Sequence, residues 1–191
     1  MPDFVRRVPE GDDRERLVCR DCGHIAYENP KVIVGSVVLA GDSVLLCRRA
    51  IEPRRGFWTL PAGYLENGET IEEGAMREAR EEARAEIELD GILAVFSLSR
   101  IGQVQVIFRA RFAESGTGGG PAFAPGHETL EAGLFAWKDI PWNEIAFPSV
   151  NWSLQAWRRV GAESLGVPAR NPADDPRGMK RPDAASPEGP P

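Results

Sequence analysis

A run of helix-forming residues from Thr70 to Ala85 constrains this chain of 191 residues more than any other feature. Thr70 and Glu73 match a capping box, in which each side chain bonds the other residue's backbone N–H group. Within the run, only Gly74 opposes helix formation. The sequence therefore predicts a helix that begins just after Thr70.

Three carboxylates share one face of this predicted helix. At about 100° per residue, Glu78, Glu81 and Glu82 fall within an arc of roughly 100°, and Ala79 lies on the other side. Like charges at this spacing repel and favour a cation between them. Clustered oxygen ligands suit Mg²⁺ or Mn²⁺. The alternative is a solvated acidic surface, which is common on glutamate-rich helices.

Residues upstream at fixed offsets favour the metal interpretation. Gly63 is followed by Glu69 and then by Arg77 directly before Glu78. Together with the EAREEA segment, this spacing strongly resembles the Nudix box, G-x5-E-x7-R-E-U-x-E-E-x-G-U, where U is a bulky aliphatic residue. The resemblance covers about residues 31–159. It implies an α/β fold, an α/β/α sandwich around a mixed β-sheet.

The resemblance also implies roles for individual residues. It implies that Glu69 and Arg77 pair to fix the loop against the helix. It implies a metal, Mg²⁺ or Mn²⁺, held by the carbonyl of Gly63 and the carboxylates of Glu78, Glu81 and Glu82.

The match to the family pattern departs from it at the end of the helix. Arg84 stands where the pattern has glycine, and Ala79 and Ala85 replace bulky aliphatic residues. Glycine would supply a left-handed turn that ends the helix. We therefore expect a longer helix or a different cap.

A catalytic base is expected among the same carboxylates. Glu78 is the favoured base, and Glu82 is also predicted to be catalytic. Family members also take the base from a loop, and Glu128, like nearby Glu131, is placed to serve. The alternative for these two loop residues is ordinary solvation.

Basic and aromatic residues near the first hairpin are candidates for substrate binding. Arg49 and Arg100 have guanidinium groups that can fork onto phosphate oxygens, and Trp58 can stack on a base. The alternatives are a solvated basic turn for the arginines and a core position for the tryptophan.

Hydrophobic periodicity predicts the remaining elements. They are a hairpin of Lys31–Ala40 and Ser43–Arg49, strands at residues 92–99, 103–112 and 130–137, and a second helix at Pro148–Val160. The predicted organisation is an amino-terminal extension at residues 1–30, a hydrolase domain at 31–163 and a disordered Pro-rich tail at 164–191.

The extension contains Cys19 and Cys22 in the C-x2-C-G form of a zinc knuckle. Nudix enzymes resembling this chain carry an amino-terminal ribbon before a YENPK-like segment, so the expectation is a remnant whose upstream half is absent. A closed zinc site needs four ligands, and Cys47 is predicted to pack inside a strand. The sequence therefore argues against tight zinc binding.

Charge and composition narrow the partners. A net charge of −6 argues against nucleic-acid binding, and no segment resembles a signal peptide or a run of about 20 apolar residues. Three cysteines give no disulfide framework, so a cytoplasmic protein without a membrane partner is expected. A homodimer is compatible with the sequence.

The resemblance implies hydrolysis of a small nucleotide, in which a nucleoside diphosphate is linked to another moiety as in FAD, ADP-ribose or NADH. Two alternatives remain open at this point. One is a housecleaning nucleoside-triphosphate pyrophosphatase, and the other is a non-catalytic Nudix-fold regulator that senses a nucleotide.

Overall fold

The computed structural model describes residues 2–113 and 120–174, which divide into two units between Pro30 and Lys31. The first unit is a small antiparallel sheet in the order β1-β2-β3. Its strands are β1 (Phe4–Arg7), β2 (Arg16–Cys19) and β3 (Ile25–Ala26).

The second unit is built on a mixed sheet whose main path runs β10-β5-β4-β9-β8, with β6 beside β5 and β7 beside β4. The β4–β9 pair is parallel and the other pairs are antiparallel. The predicted hairpin and strands are confirmed, although β8 begins five residues earlier than predicted. The strands are β4 (Lys31–Ala40), β5 (Ser43–Arg49), β6 (Trp58–Thr59), β7 (Ala62–Tyr64), β8 (Ile87–Leu98), β9 (Gln103–Phe112) and β10 (Thr129–Ala136).

Alternation along the central strands gives the sheet two buried faces, since successive side chains point to opposite sides. One face packs against helix α1 (Ile71–Ala83) and the other against helix α2 (Pro148–Val160). This arrangement confirms the α/β/α sandwich. The face toward α1 carries Val38, Leu45 and Cys47, and the face toward α2 carries Val37, Val44 and Leu46.

Helix α1 begins as predicted and ends differently. The Thr70 side chain accepts the Glu73 N–H and the Glu73 side chain accepts the Thr70 N–H, which completes the capping box. Of the two expected alternatives, a longer helix or a different cap, the structure shows the second, because α1 stops at Ala83. Arg84 itself takes the left-handed conformation, with φ 48° and ψ 31°, and its N–H bonds the carbonyls of the last turn. Arginine thus fills the position that the family pattern gives to glycine.

Helix α2 has proline at its first position, where no backbone donor is lost. It buries Trp152, Leu154 and Trp157 against the sheet, and the Trp152 indole meets Phe96 edge-on at 5.3 Å. The predicted bounds of this helix are confirmed. No helix within residues 2–113 and 120–174 is long and apolar enough to cross a membrane.

The chain after α2 corrects the prediction of a disordered tail from residue 164. Ala169 pairs with β8 through hydrogen bonds to Leu93 and Val95, both under 3.0 Å. The Asn171 side chain bonds both the N–H and the carbonyl of Ser97 at 2.9 Å. The composition of this segment is poor in apolar groups, but backbone pairing to a sheet edge needs few of them. The rest of the predicted tail, residues 175–191, lies outside the described residues.

Candidate active site

Small residues on α1 bring its carboxylates close to the sheet. Ala75, Ala79 and Ala83 are fully buried, so the helix backbone packs tightly over the strands. As a result Glu78 and Glu82, on the same side as the loop before α1, are 8% exposed each. The third predicted ligand, Glu81, lies at the rim with its side chain 60% exposed.

Gly63 in β7 closes over the Glu78 carboxylate. Pairing with Val34 fixes Gly63 at the inner edge of the sheet. A Cβ atom there would lie 2.4 Å from Glu78 Oε1, so a larger residue would displace the Glu78 carboxylate. Next to it, the Ala62 N–H donates to Glu82 Oε2 at 3.0 Å. The loop and the helix therefore enclose both carboxylates from opposite sides.

Burial and nearby carboxylates raise the pKa values of these two carboxyls. Desolvation is the largest cause for both, and it raises the pKa of Glu82 to about 8. The negative charge of Glu128 also raises the pKa of each carboxyl. A cation placed among these oxygens would offset the repulsion and favour the charged forms.

Arg77 is the cation that these residues share. Its guanidinium forms a two-pronged pair with Glu69, Nε to Oε2 at 3.0 Å and Nη2 to Oε1 at 2.8 Å, and also donates to the Tyr64 carbonyl. The bonds from Arg77 lower the pKa of Glu69 to about 2. The structure thus brings together the pair that sequence analysis expected to fix the loop.

Arg77 makes further contacts that sequence analysis missed. Its Nη1 lies 2.7 Å from Glu78 Oε1 and 3.0 Å from Glu81 Oε2. No three His, Cys, Asp or Glu side chains among the described residues lie close enough to form a complete metal-ligand set. The donors nevertheless fit a hard divalent cation, since buried carboxylate oxygens and the Gly63 cradle converge here and already attract a positive group.

A cleft of about 880 Å³ opens above these carboxylates. Predicted substrate residues Arg49 and Arg100 both line it, as does the predicted loop carboxylate Glu128. Arg49 lies near enough to lower the pKa of Glu82 by its charge, and its guanidinium stacks 5.1 Å from the Phe147 ring. The cleft is therefore lined by two arginines as well as by the carboxylates.

Two predicted positions lie elsewhere. Trp58 is 6% exposed within the core and meets Phe135 edge-on at 4.8 Å, so its proposed stacking on a substrate is wrong. β6 holds it inside, because Trp58 pairs with Arg48 of β5. Glu131 is not among the residues that line the cleft, and it forms a 3.6 Å ion pair with Arg48.

The cleft also contains residues that sequence analysis did not single out. Its rim exposes Ile51, Tyr64 and Ile101, each at least 39% exposed. Its inner wall includes Gln105 of β9 and Ser149 of α2. Only tertiary structure brings these separate segments to one opening.

The two amino-terminal cysteines belong to the first unit. Cys19 is buried and Cys22 is exposed, and both are free thiols. Hydrogen bonds from the backbone N–H groups of Cys22 and Asp21 lower the pKa of Cys19, as in a metal knuckle. Cys47, in the other unit, packs inside β5 as predicted.

Comparison with known proteins agrees with this geometry. The NUDIX domain model matches residues 29–157, and the model described as Nudix N-terminal matches residues 3–28. A crystal structure of a NUDIX hydrolase from Nitrosomonas europaea is 43% identical, with a TM-score of 0.78, over 88% of this chain and 94% of that one.

Curated relatives match over shorter segments. An ADP-ribose pyrophosphatase of Methanocaldococcus jannaschii is 35% identical over 37% of this chain and 42% of its own length. The NAD-capped RNA hydrolase NudC of Pseudomonas aeruginosa is 39% identical over 41% of this chain and 28% of its own length. The matched segments thus span less than half of these relatives. Since the domain model covers most of the chain, including the carboxylate helix and the loop before it, the chain belongs to the Nudix family.

Proposed function

We propose that this protein hydrolyses the pyrophosphate bond of a nucleoside diphosphate linked to a second moiety, with a divalent cation such as Mg²⁺. The substrate class is that of FAD, ADP-ribose and NADH. The observation that carries the proposal is the burial of two like-charged carboxylates, Glu78 and Glu82, on the floor of a large cleft. Burial raises the free energy of both carboxylates, and Arg77 pairs with Glu78 while Glu82 accepts one backbone N–H, so the arrangement indicates function.

The residues proposed to hold the cation are the Gly63 carbonyl and the three helix carboxylates. When bound, the cation offsets negative charge on the phosphate oxygens. Glu81 is exposed at the rim and is free to turn from Arg77 toward it, while the Arg77–Glu69 pair keeps the loop in place. The helix and the loop then hold the ligands rigidly, which is what an electrostatic site requires.

Arg49 and Arg100 are proposed to bind the pyrophosphate. Guanidinium groups bind phosphate oxygens in pairs and stay charged at every physiological pH. The apolar rim of Ile51, Tyr64 and Ile101 supports the second moiety, because exposed apolar side chains gathered at one opening are typical of a binding surface. A volume of about 880 Å³ suits a ligand larger than a single nucleotide.

A carboxylate is proposed to take the proton of the attacking water. Glu78, the base that the sequence favours, has a nearly buried side chain that is bonded to Arg77. Glu128 lines the same cleft, is exposed to water, and makes no ion pair within the described part of the chain. A base must lie within hydrogen-bond reach of the attacking water, and Glu128 lines the cleft whereas Glu78 Oε1 is bonded to Arg77, so we propose Glu128 as the base.

The proposal is tested with a panel of FAD, ADP-ribose, NADH and a deoxynucleoside triphosphate in the presence of Mg²⁺. Products are separated by chromatography. We expect AMP and a phosphorylated second product from the first three substrates. Glu72→Gln, an exposed carboxylate in the first turn of the same helix, serves as the matched control and keeps full activity.

Two outcomes would replace the proposal. A triphosphate preferred by more than about tenfold, equal to about 1.4 kcal/mol, would indicate a housecleaning pyrophosphatase. Tight nucleotide binding without any cleavage would indicate a sensor. Localisation in the cytoplasm and association as a homodimer remain predictions, which cell fractionation and sedimentation of the purified protein would test.

A further inference from the structure

The segment between residues 123 and 129 is fastened to the end of α1. The Ala124 N–H donates to the Ala83 carbonyl at 2.8 Å, and the Gly126 N–H donates to the Glu82 carbonyl at 2.9 Å. Carbonyls in the last turn of a helix have no partner within the helix. The loop therefore supplies donors that the end of α1 needs.

Gly126 makes this contact possible through its size. A Cβ atom at this position would lie 1.7 Å from the Glu81 carbonyl oxygen and 2.7 Å from its carbon. Both atoms belong to the helix backbone, which cannot give way as a flexible side chain would. Gly126 does not have a positive φ, so the requirement for glycine is steric.

The other end of the loop is fastened to the sheet. The Glu128 carbonyl accepts the N–H of Ala50, which follows β5, at 2.8 Å, and Thr129 bonds back to Gly126 at 3.3 Å. Glu128 is thus held two residues from the helix contact and next to a strand end. Its carboxylate shares the cleft with Glu78 and Glu82.

From this geometry we infer that Gly126 is a positioning residue, which docks the loop on the last carbonyls of α1 and so holds Glu128 against the carboxylate floor. The inference rests on the proposed function for the role of Glu128 and on the contacts alone for the docking. Any side chain at position 126 would push the loop away from the helix and carry Glu128 with it.

The test is a double-mutant cycle of Gly126→Ala and Glu128→Gln. Gly120→Ala is the matched control, because it lies on the same connection and a Cβ there meets nothing within 4 Å. We expect Glu128→Gln to lower kcat by about 100-fold or more, as for loss of a general base. We expect Gly126→Ala to lower kcat by at least about tenfold in the native background and by less than about threefold in the Glu128→Gln background, since residues that act as a unit are not additive. KM changes little in either background.

Hydrogen exchange gives a readout that does not depend on activity. Gly126→Ala should lose protection at the amides of Ala124 and Gly126, while Gly120→Ala keeps it. Should Gly126→Ala fail to fold, Ala124→Pro removes one of the two donors without adding an atom against Glu81, and the same cycle is run with it.

Three results would overturn the inference. They are native kcat in folded Gly126→Ala, equal losses from this change in both backgrounds, and unchanged amide protection. Native kcat in Glu128→Gln would reject the part that concerns Glu128. Absence of cleavage by the native protein would instead reject the proposed function, and the exchange data would still decide whether the loop docks.

Discussion

The two helices cover opposite faces of one sheet with different chemistry. Helix α1 buries alanines and carries carboxylates at the sheet edge, whereas α2 fills its side with indoles and Leu154. Small side chains allow the α1 backbone to come close to Gly63, which encloses Glu78. Large side chains on α2 remove more apolar area from water. The comparison indicates that α1 is built to hold a charged site and α2 to stabilise the fold.

The largest expected effect falls on the α1 side. Glu82→Gln keeps the size of a buried proposed ligand and its ability to accept the Ala62 N–H, but removes the charge. We expect kcat to fall by roughly 100- to 1,000-fold, about 2.7–4 kcal/mol of barrier, with the fold intact. Steady-state kinetics and circular dichroism measure both. Near-native kcat in a folded variant would reject the metal assignment.

On the α2 side the same comparison predicts the opposite result. Leu154→Ala opens a cavity in a fully buried position and should lower the free energy of unfolding by about 2–5 kcal/mol. Because Leu154 does not line the cleft, kcat below the melting temperature should stay within about twofold of native. Leu130→Ala, at an exposed position on β10, is the control for stability. A fall in kcat without a loss of stability would contradict this division between the helices.

A smaller effect is expected on the α1 side of the sheet, where burial of Glu82 should make the stability of the protein depend on pH. In chelator-treated protein, burial raises the pKa of Glu82 from 4.5 to about 8. The folded protein then holds a proton that the unfolded chain releases, so the native protein loses stability as pH rises from about 4.5 to 8. Glu82→Gln has no carboxyl to ionise at this position, so it does not lose this stability. It should be more stable than native by roughly 1–3 kcal/mol at pH 8, with no difference near pH 4. Denaturant titrations at each pH measure the free energy of unfolding of both proteins. If the native protein and Glu82→Gln differ by the same amount at every pH, the pKa of Glu82 is not raised by folding.

The same contrast explains how much the sequence predicted. The capping box and the spacing from Gly63 to Glu82 depend on local rules, and α1 and its carboxylates follow them. The prediction that Trp58 stacks on a substrate was wrong because the partner strand decides whether this side chain is exposed. Strand β6 has only two residues, so the sequence shows no alternating pattern that would indicate burial. The different cap at Arg84 was one of two expected alternatives, but its left-handed conformation was not predicted, because that conformation is uncommon for arginine and is supported here by backbone hydrogen bonds.

Other parts of the site depend on contacts between distant segments. Gly126 lies in a Gly- and Pro-rich stretch that is typical of a loop, and nothing local shows that its N–H meets the end of α1. Gln105 and Ser149 reach the cleft from different layers. The carboxyl-terminal segment has the composition of an unstructured tail, yet Ala169 and the Asn171 side chain bond to β8.

The carboxyl-terminal segment allows a further test, which asks how much its pairing with β8 contributes to stability. Truncation after Gly166 removes the contacts of Ala169 and Asn171 with β8, and each hydrogen bond contributes about 0.5–1.5 kcal/mol. Four such bonds are lost, so we expect stability to fall by at least about 2 kcal/mol, with little change in kcat. Truncation after Asp174 keeps these contacts and is the matched control. Equal melting temperatures for the two truncated proteins would show that the pairing adds nothing.

The smallest effect is expected in the first unit, from replacing Cys19 and Cys22 with serine. A closed zinc site needs four ligands, and two thiols in the described part of the chain do not complete one. Hydrogen bonds from the backbone N–H groups of Cys22 and Asp21 lower the pKa of Cys19, which favours the thiolate form that a metal would need. We therefore expect the double variant to keep kcat and KM within about twofold of native, because the cleft is lined entirely by residues of the second unit. Elemental analysis of the purified native protein accompanies the kinetics. One zinc per chain, lost together with activity in the double variant, would show instead that the knuckle is a working half of a metal site and that the first unit supports catalysis.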